Sequence, residues 1–324
     1  MSGGPTSGVG TGYGNTSRVT DVTRFIYQIT PEDKPFFMMT GEDKALDRVH
    51  QWQRRTFTTR TANAQNVGFV FTFPTQNRLP TRETNVTQIL AEEIRVSDSE
   101  KNSAHYAIED LYADQIQIAM TVLGTNIEHT LIRGSMASGT TQSSQSDAPY
   151  MQGIIWALAT AQTTFTNMAG ALAGLTETIF NDFVQLCWSF GSEPRDALVG
   201  GRLKRTISGY TAVNTRFIPA DEGTVYRTIS EYHTDFFPVA IHLSRDMFSN
   251  APTDPTNLPT GSSMANGSSL LLIDTTMLKK AWLQPVLAER TARIAHSTDG
   301  IISAELTLDW GHPNAHLFAC NFSA

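Results

Sequence analysis

Apolar positions are sparse and without periodicity in the first 24 residues, which are rich in Gly, Ser and Thr. Such a stretch cannot bury enough surface to order itself, and it reads as a mobile arm that something else must hold. Anchors begin at Phe25-Ile26-Tyr27 and continue through Ile29-Thr30-Pro31-Glu32-Asp33-Lys34-Pro35-Phe36-Phe37. Each proline confines the residue before it to extended geometry, so a turn or single helical turn is predicted there.

Between Val49 and Val96 the pattern is that of β structure. Trp52, Thr56, Phe57 and Thr58 lead to Val67, Phe69, Phe71 and Phe73, which alternate with period two apart from Val70; Ile89, Ile94 and Val96 follow. A long hairpin is predicted. Its outer part, residues 60–66 and 75–87, is polar, and a lone two-stranded hairpin is marginal in water, so it is expected to lie on a neighbour. From about Ser103 to Arg133 the apolar residues Ala104, Ala107, Ile108, Leu111, Ile118, Ala119, Val122, Leu123, Ile127 and Leu131 recur at spacings of three and four, with Gly134 as a stop. One amphipathic helix of roughly 45 Å is predicted. Residues 134–149 read as a flexible loop.

A second helix opens at Thr176-Glu177, carries Ile179, Phe180, Phe183, Val184, Cys187 and Phe190 on one face, and closes at Gly191. Short strands are predicted at 197–199, 225–232, 238–243 and 270–273, and helical pieces at 202–207 and near 274–279. Residues 250–269 form a surface excursion rich in Pro and Ser. Residues 286–295 are apolar-rich, and 304–310 with 315–322 read as a terminal hairpin turned by Gly311-His312-Pro313-Asn314. There is no internal repeat.

A chain of 324 residues is long enough for one large domain or two ordinary ones. Only 17% of residues are charged, below the globular average of about 25%. Thr, Ser, Asn and Gln must therefore supply much of the polar surface, as suits faces that touch other protein. A net charge of −7 and a pI near 5.6 argue against direct sequence readout of nucleic acid, which needs clustered Lys and Arg. Cys187 and Cys320 form no disulfide framework or CxxC unit and read as small buried hydrophobes. The N-terminus has no basic and apolar regions of a signal peptide, and no apolar run approaches a membrane span, so synthesis in a reducing cytoplasm is expected.

Candidate chemistry is thin. His312 and His316 are spaced like a metal pair, but Pro313 between them makes the spacing a turn instead of one helical face. Glu92-Glu93 and Glu109-Asp110 are adjacent carboxylates, and adjacent residues do not face one another on a helix or strand. There is no GxSxG elbow and no GxxxxGK[ST] loop; Gly8, Gly10, Gly12 and Gly14 lack the preceding strand and following helix of a phosphate loop. Asn266-Gly267-Ser268 and Asn321-Phe322-Ser323 are glycosylation strings without a secretory context. No catalytic, metal or cofactor residue is assigned. Arg48, Arg54, Arg55 and Arg60, with Arg78, Arg82 and Arg95 opposite, make the hairpin basic, while Glu92, Glu93, Asp98, Glu100, Glu109, Asp110 and Asp114 are acidic. Either these are solvated surface, or the hairpin of one subunit docks on the acidic helix of another, with Arg48, Arg54, Arg55, Arg60, Arg78, Arg82, Glu109, Asp110 and Asp114 as the contacts.

The order of arm, hairpin, long helix, α+β section and returning strands resembles the Hong Kong 97-type major capsid fold of tailed phages. More narrowly the chain is similar to the major capsid proteins of the podovirus SU-ten type. The strings that carry this are Thr30-Pro31-Glu32-Asp33-Lys34-Pro35-Phe36 followed by Trp52; Asn85-Val86-Thr87-Gln88-Ile89; Ile94-Arg95-Val96-Ser97; Gln152-Gly153-Ile154; Leu283-Gln284-Pro285; and Glu305-Leu306-Thr307-Leu308 before Asn314-Ala315. Gln284 stands where an Arg is common, and His296-Ser297-Thr298-Asp299-Gly300 where a Lys-Thr-Gly-Asp string is usual.

The resemblance implies an α+β fold divided into an N-terminal arm (1–40), a hairpin or E-loop (41–98), the first part of a P-domain with spine helix and loop (99–174), an A-domain (175–280) and P-domain return strands (281–324). It implies self-assembly into pentamers and hexamers of an icosahedral virion shell in the host bacterial cytoplasm. Its implied partners are a portal, scaffolding, cement or decoration proteins, and packaged double-stranded DNA held non-specifically, with no membrane and no cofactor. The chain starts at the arm, so scaffolding is expected to be a separate protein or the sequence a processed form. Two other readings stand beside it: an encapsulin compartment with the same fold, and a soluble hydrolase or lectin-like domain.

Overall fold

The structure, a computed structural model, describes residues 33–55, 64–70, 79–103, 108, 110–135, 149–161, 165–167, 174–210, 230–247, 269–293 and 295–322. In chain order the elements are α1 (Pro35–Met39), β1 (Gly41–Lys44), β2 (Val49–Arg54), β3 (Thr81–Val86), β4 (Gln88–Ser97), α2 (Asp98–Lys101), α3 (Leu111–Arg133), α4 (Ile154–Ala161) and β5 (Phe165–Asn167). Then follow α5 (Glu177–Ser189), β6 (Asp196–Val199), α6 (Gly201–Tyr210), β7 (Glu231–His233), β8 (Pro238–Leu243), β9 (Leu270–Ile273), β10 (Lys279–Arg290), β11 (Ser297–Asp309), a 3-10 turn (Pro313–Ala315) and β12 (Leu317–Cys320). They form a four-stranded sheet β1-β10-β11-β4, a six-stranded sheet β5-β12-β9-β6-β8-β7 and the two-stranded ribbon β2-β3.

The six-stranded sheet separates two cores. β9 is Leu270-Leu271-Leu272-Ile273, buried throughout and without alternation, because it is covered on both faces. Leu270 and Leu272 point into the cluster with Phe180, Phe183, Val184 and Cys187 of α5 and Leu203 and Ile207 of α6. Leu271 and Ile273 point the other way, into the cluster with Leu123, Ile127 and Leu131 of α3, Ile154 and Leu158 of α4, and Ile302, Leu306 and Leu308 of β11. The four-stranded sheet and the long helix thus share one core with the back of the six-stranded sheet.

The long helix is shorter than its periodicity suggested. It starts at Leu111, not near Ser103, because Asp110 is its cap: the carboxylate accepts from the N–H of Tyr112 at 2.9 Å and of Ala113 at 3.3 Å. A separate turn, α2, precedes it. Its 23 residues span about 35 Å, and Gly134 closes it as expected, donating its N–H to Thr130 O at 2.8 Å. The second helix runs as predicted, with Thr176 accepting from the N–H of Ile179 and Gly191 just past its end at φ 88°. Phe190 belongs to the cap instead of the apolar face and is 45% exposed.

Three strand readings change. The hairpin does not run to Val96: β2 pairs only with β3, from Val49↔Val86 to Arg54↔Thr81, and β4 crosses to pair with β11. Within residues 64–70 the Val67-to-Phe73 alternation is not a strand; Val67 and Gly68 form a turn, with Gly68 at φ 89°, and residues 71–73 lie outside the described set. Nor do β11 and β12 form a terminal hairpin. They belong to different sheets, because Gly311 at φ 58° and the 3-10 turn redirect the chain. Buried His316 fixes that crossing: Nδ1 accepts from the N–H of Asp274 at 3.2 Å and Nε2 donates to Trp310 O at 3.0 Å. With both nitrogens taken and burial pushing its pKa down to about 4, His316 is a neutral structural post.

The helical piece expected near 274–279 is a turn. The Asp274 carboxylate accepts from the N–H and hydroxyl of Thr276, and β10 begins at Lys279. The candidate arm (1–24), the loop tip at 136–148, the strand expected at 225–229 and most of 250–269 lie outside the described residues.

Candidate functional site

Among the described residues the ribbon β2-β3 has no sheet partner beyond its own two strands, so what fixes its direction there must act at its root. Asn85 sits there, fully buried. Its Nδ2 donates to Gln152 O at 3.0 Å and Leu308 O at 2.8 Å, and its Oδ1 accepts from the N–H of Gln152 and of Val86, each at 2.9 Å. One amide therefore satisfies main-chain groups from β3, from the segment entering α4, and from β11. Two residues on, Thr87 donates its hydroxyl to Glu305 Oε1 at 2.5 Å, and Gln88 Oε1 accepts from the N–H of Met151 at 3.1 Å. From β2, Trp52 donates Nε1–H to Gly311 O at 2.8 Å and stands edge-on to Trp310 with centroids 4.6 Å apart.

Gly153 closes the same junction. Its N–H donates to Gly134 O at 2.9 Å, and a Cβ at 153 would lie 2.5 Å from Gly134 N and 2.9 Å from Ile132 O. The main chain after α3 and before α4 approaches too closely for any side chain. Gly153→Ala should therefore cost about 2–3 kcal/mol by forcing these backbones apart, read as a fall in melting temperature; an unchanged melting temperature would show that the junction relaxes freely.

The sequence strings Asn85-to-Ile89, Gln152-to-Ile154, Glu305-to-Leu308 and Trp52 thus meet in space. Sequence reading singled them out without a role; the structure makes them the clamp between hairpin and body. What it missed was the contact itself, since hydrogen bonds from side chain to distant main chain leave no periodic signal.

The charged contact residues fare differently. Arg54 forms an ion pair with Glu83 across its own ribbon at 2.5 Å. Asp110 is occupied as the α3 cap, and Asp114 is half-buried in the first turn. Arg48, Arg55 and Arg82 are exposed, while Arg60, Arg78 and Glu109 lie outside the described side chains. Of the other acidic residues, Asp98 pairs with Arg293 and His296, and Glu92 accepts from Asn126 Nδ2 at 2.7 Å. Much of this charge is engaged within the subunit.

The outer face of α3 is instead uncharged. Between Asp114 and Glu128 there is no charged residue; Ile118 and Val122, about one turn apart on one side, are exposed, and Met120 is exposed on another side of the helix. The hairpin is similar: residues 61–77 hold no charge, and Val67, Phe69 and Val70 are exposed. Among the described residues no group of three His, Cys, Asp or Glu could hold a metal, and no helix is long and apolar enough to cross a membrane. Buried Cys187, its thiol pushed up to about 12 by desolvation, is not poised as a nucleophile.

A family model described as SU10 major capsid protein matches residues 5–321. The chain belongs to the SU10 major capsid protein family. Solved structures show the Hong Kong 97-type fold independently. A chain from Gordonia phage Cozz aligns at TM-score 0.60 and 12% identity, covering 100% of this chain and 97% of that one. The capsid of an empty GTA particle aligns at 0.59 and 12%, covering 95% and 96%. The holo-SrpI encapsulin from Synechococcus elongatus PCC 7942 aligns at 0.57 and 9%, covering 94% and 93%. No curated protein matches the chain in sequence. Encapsulin and phage chains superpose about equally, so the fold does not separate them; the family does. This SU10-family chain is a structural shell protein, the major capsid protein of a tailed phage.

Proposed function

We propose that the subunit closes into pentamers and hexamers of an icosahedral head, and that the hairpin of each copy lies on α3 of a neighbour. The observation that carries this is the pairing of two uncharged, partly apolar surfaces within one chain: the exposed hairpin tip and the exposed middle of α3. The exposed residues Val67, Phe69 and Val70 and Ile118 and Val122 lie outside both core clusters, and surfaces of this kind mark protein contacts. The contact is chiefly apolar, with exposed Arg48, Arg55 and Arg82 at its rim; Arg60, Arg78 and Glu109 remain candidates for the same rim.

In this reading residues 1–40 are the arm, 41–98 the E-loop region, 99–174 and 281–324 the P-domain, and 175–280 the A-domain. We take the projecting part of that region to begin and end with β2 and β3; supporting this, β4 pairs with β11 in the four-stranded sheet. Double-stranded DNA is enclosed without sequence readout, as the net charge of −7 suits. A portal completes the shell, scaffolding or decoration proteins act as further partners, and assembly takes place in the bacterial cytoplasm.

Purified protein examined by negative-stain microscopy should show closed shells or capsomers. Small globules at every concentration would sink the proposal. The encapsulin likeness gives the second reading, a compartment around cargo enzymes; particles from the native source holding a protein cargo and no DNA would favour it.

A further inference from the structure

A cavity of about 120 Å³ opens between the first turns of α3 and the strands β4, β10 and β11. Its apolar walls are Ile94, Tyr112, Ile116, Ala288, Ile301 and Ile302, and exposed Glu289 and Arg290 supply its charged lining. Tyr112, 3% exposed, is held from two sides. Gly300 leaves room for its hydroxyl, which a Cβ there would strike, and the Arg290 guanidinium carbon lies 4.6 Å from its ring centroid. The walls are thus set by the subunit itself, and a guest need not shape them.

Size and chemistry both narrow the guest. An apolar cavity of about 150 Å³ takes up benzene, so this one suits a single phenyl ring. Arg290, already stacked on Tyr112, offers its cation to a second aromatic face, and Glu289 repels an acidic segment. An aromatic residue on an uncharged segment meets both conditions. Among the described residues the exposed Phe, Tyr and Trp side chains are Phe69, Tyr150, Trp188, Phe190 and Phe236. Trp188 and Phe236 pack on each other at 5.4 Å, Phe190 caps α5, and Tyr150 adjoins buried Met151. Phe69 alone of these stands on the hairpin. It follows the Val67–Gly68 turn, donates its N–H to Asn66 O at 3.1 Å, and lies inside the uncharged stretch 61–77.

The hairpin leads away from the cavity of its own subunit. β4 pairs with β11 from Gln88↔Leu306 to Ser97↔Ser297, and the cavity lies at Ile301 and Ile302, towards the second end. The ribbon joins at the first end, where Asn85 bonds Leu308 O and Trp52 bonds Gly311 O. About 23 Å of strand separates Leu308 from Ile301. We propose, on the reading of the hairpin as a bridge between copies, that this cavity receives the Phe69 ring of a second copy. Around α3, Gln115 and Ala119 fall between the Ile118–Val122 side and the Tyr112–Ile116 side by the helical repeat, so a hairpin crossing the helix covers both. With hairpin and cavity at opposite ends of the sheet, the contact is head-to-tail, and such contacts repeat into closed rings.

The yield of closed shells by negative-stain microscopy and the melting temperature of the same sample, both on the full chain, test this. Phe69→Ala removes the guest, and Ala288→Leu occupies the cavity from within. Each should lower the yield of closed shells by at least about tenfold and leave the melting temperature unchanged, because Phe69 and Ala288 belong to neither core cluster. Normal shells from either variant would overturn the proposal. Should Ala288→Leu unfold, Ala288→Val takes its place under the same criterion. If removing residues 60–78 abolishes shells while Phe69→Ala and Ala288→Leu close them normally, the hairpin bridges copies by another contact; if all three chains close, the bridging reading falls with the cavity.

Discussion

Removing residues 60–78 should abolish closed shells while leaving a soluble, folded subunit. Of the excised stretch, the described residues 64–70 belong to neither core cluster. The register from Val49↔Val86 to Arg54↔Thr81 and the Trp52–Trp310 contact both lie outside it. Stability should therefore change by less than about 1 kcal/mol, whereas a contact offering Val67, Phe69 and Val70 to a neighbour would vanish. Microscopy and thermal unfolding of the same sample separate the two effects. Normal shells from this deletion would refute the bridging role.

Asn85→Leu should be the most damaging single substitution at the hairpin root. Leucine is close in size but offers no donor or acceptor. It leaves Gln152 O, Leu308 O and Gln152 N buried without their partner. At about 1–3 kcal/mol for each orphaned group, with partial relaxation, the loss is about 4 kcal/mol and the melting temperature falls by roughly 10 °C. Arg82→Ala, exposed on the same strand, should stay within about 0.5 kcal/mol. Equal effects from the two would mean that the junction is not a clamp.

The same residues show what can be read from the chain alone. The α5 helix was legible almost to the residue, because its cap Thr176, its stop Gly191 and its 3.6-residue stripe are all local signals. The start of α3 was not: Ala104, Ala107 and Ile108 continue the apolar spacing, and only the cap geometry of Asp110 ends it. β4 and β12 were assigned to hairpins because neighbours in sequence usually pair. Here a root clamp at Asn85 and a crossing pinned by His316 send each strand to another sheet. For the contact surface, charge drew attention to Arg54 and Asp110, which serve their own subunit. The longer signal was the absence of charge over 61–77 and 115–127. The cavity left no trace in sequence, since its walls come from α3 and from strands far apart in the chain.

The most direct test of the central claim is a particle reconstruction at side-chain resolution. The expected result is a closed icosahedral shell in which Val67–Val70 of one copy rests on the Ile118–Val122 face of α3 in the next. A closed shell with that face in solvent and the hairpin tip elsewhere, or a protein that never closes, would contradict it.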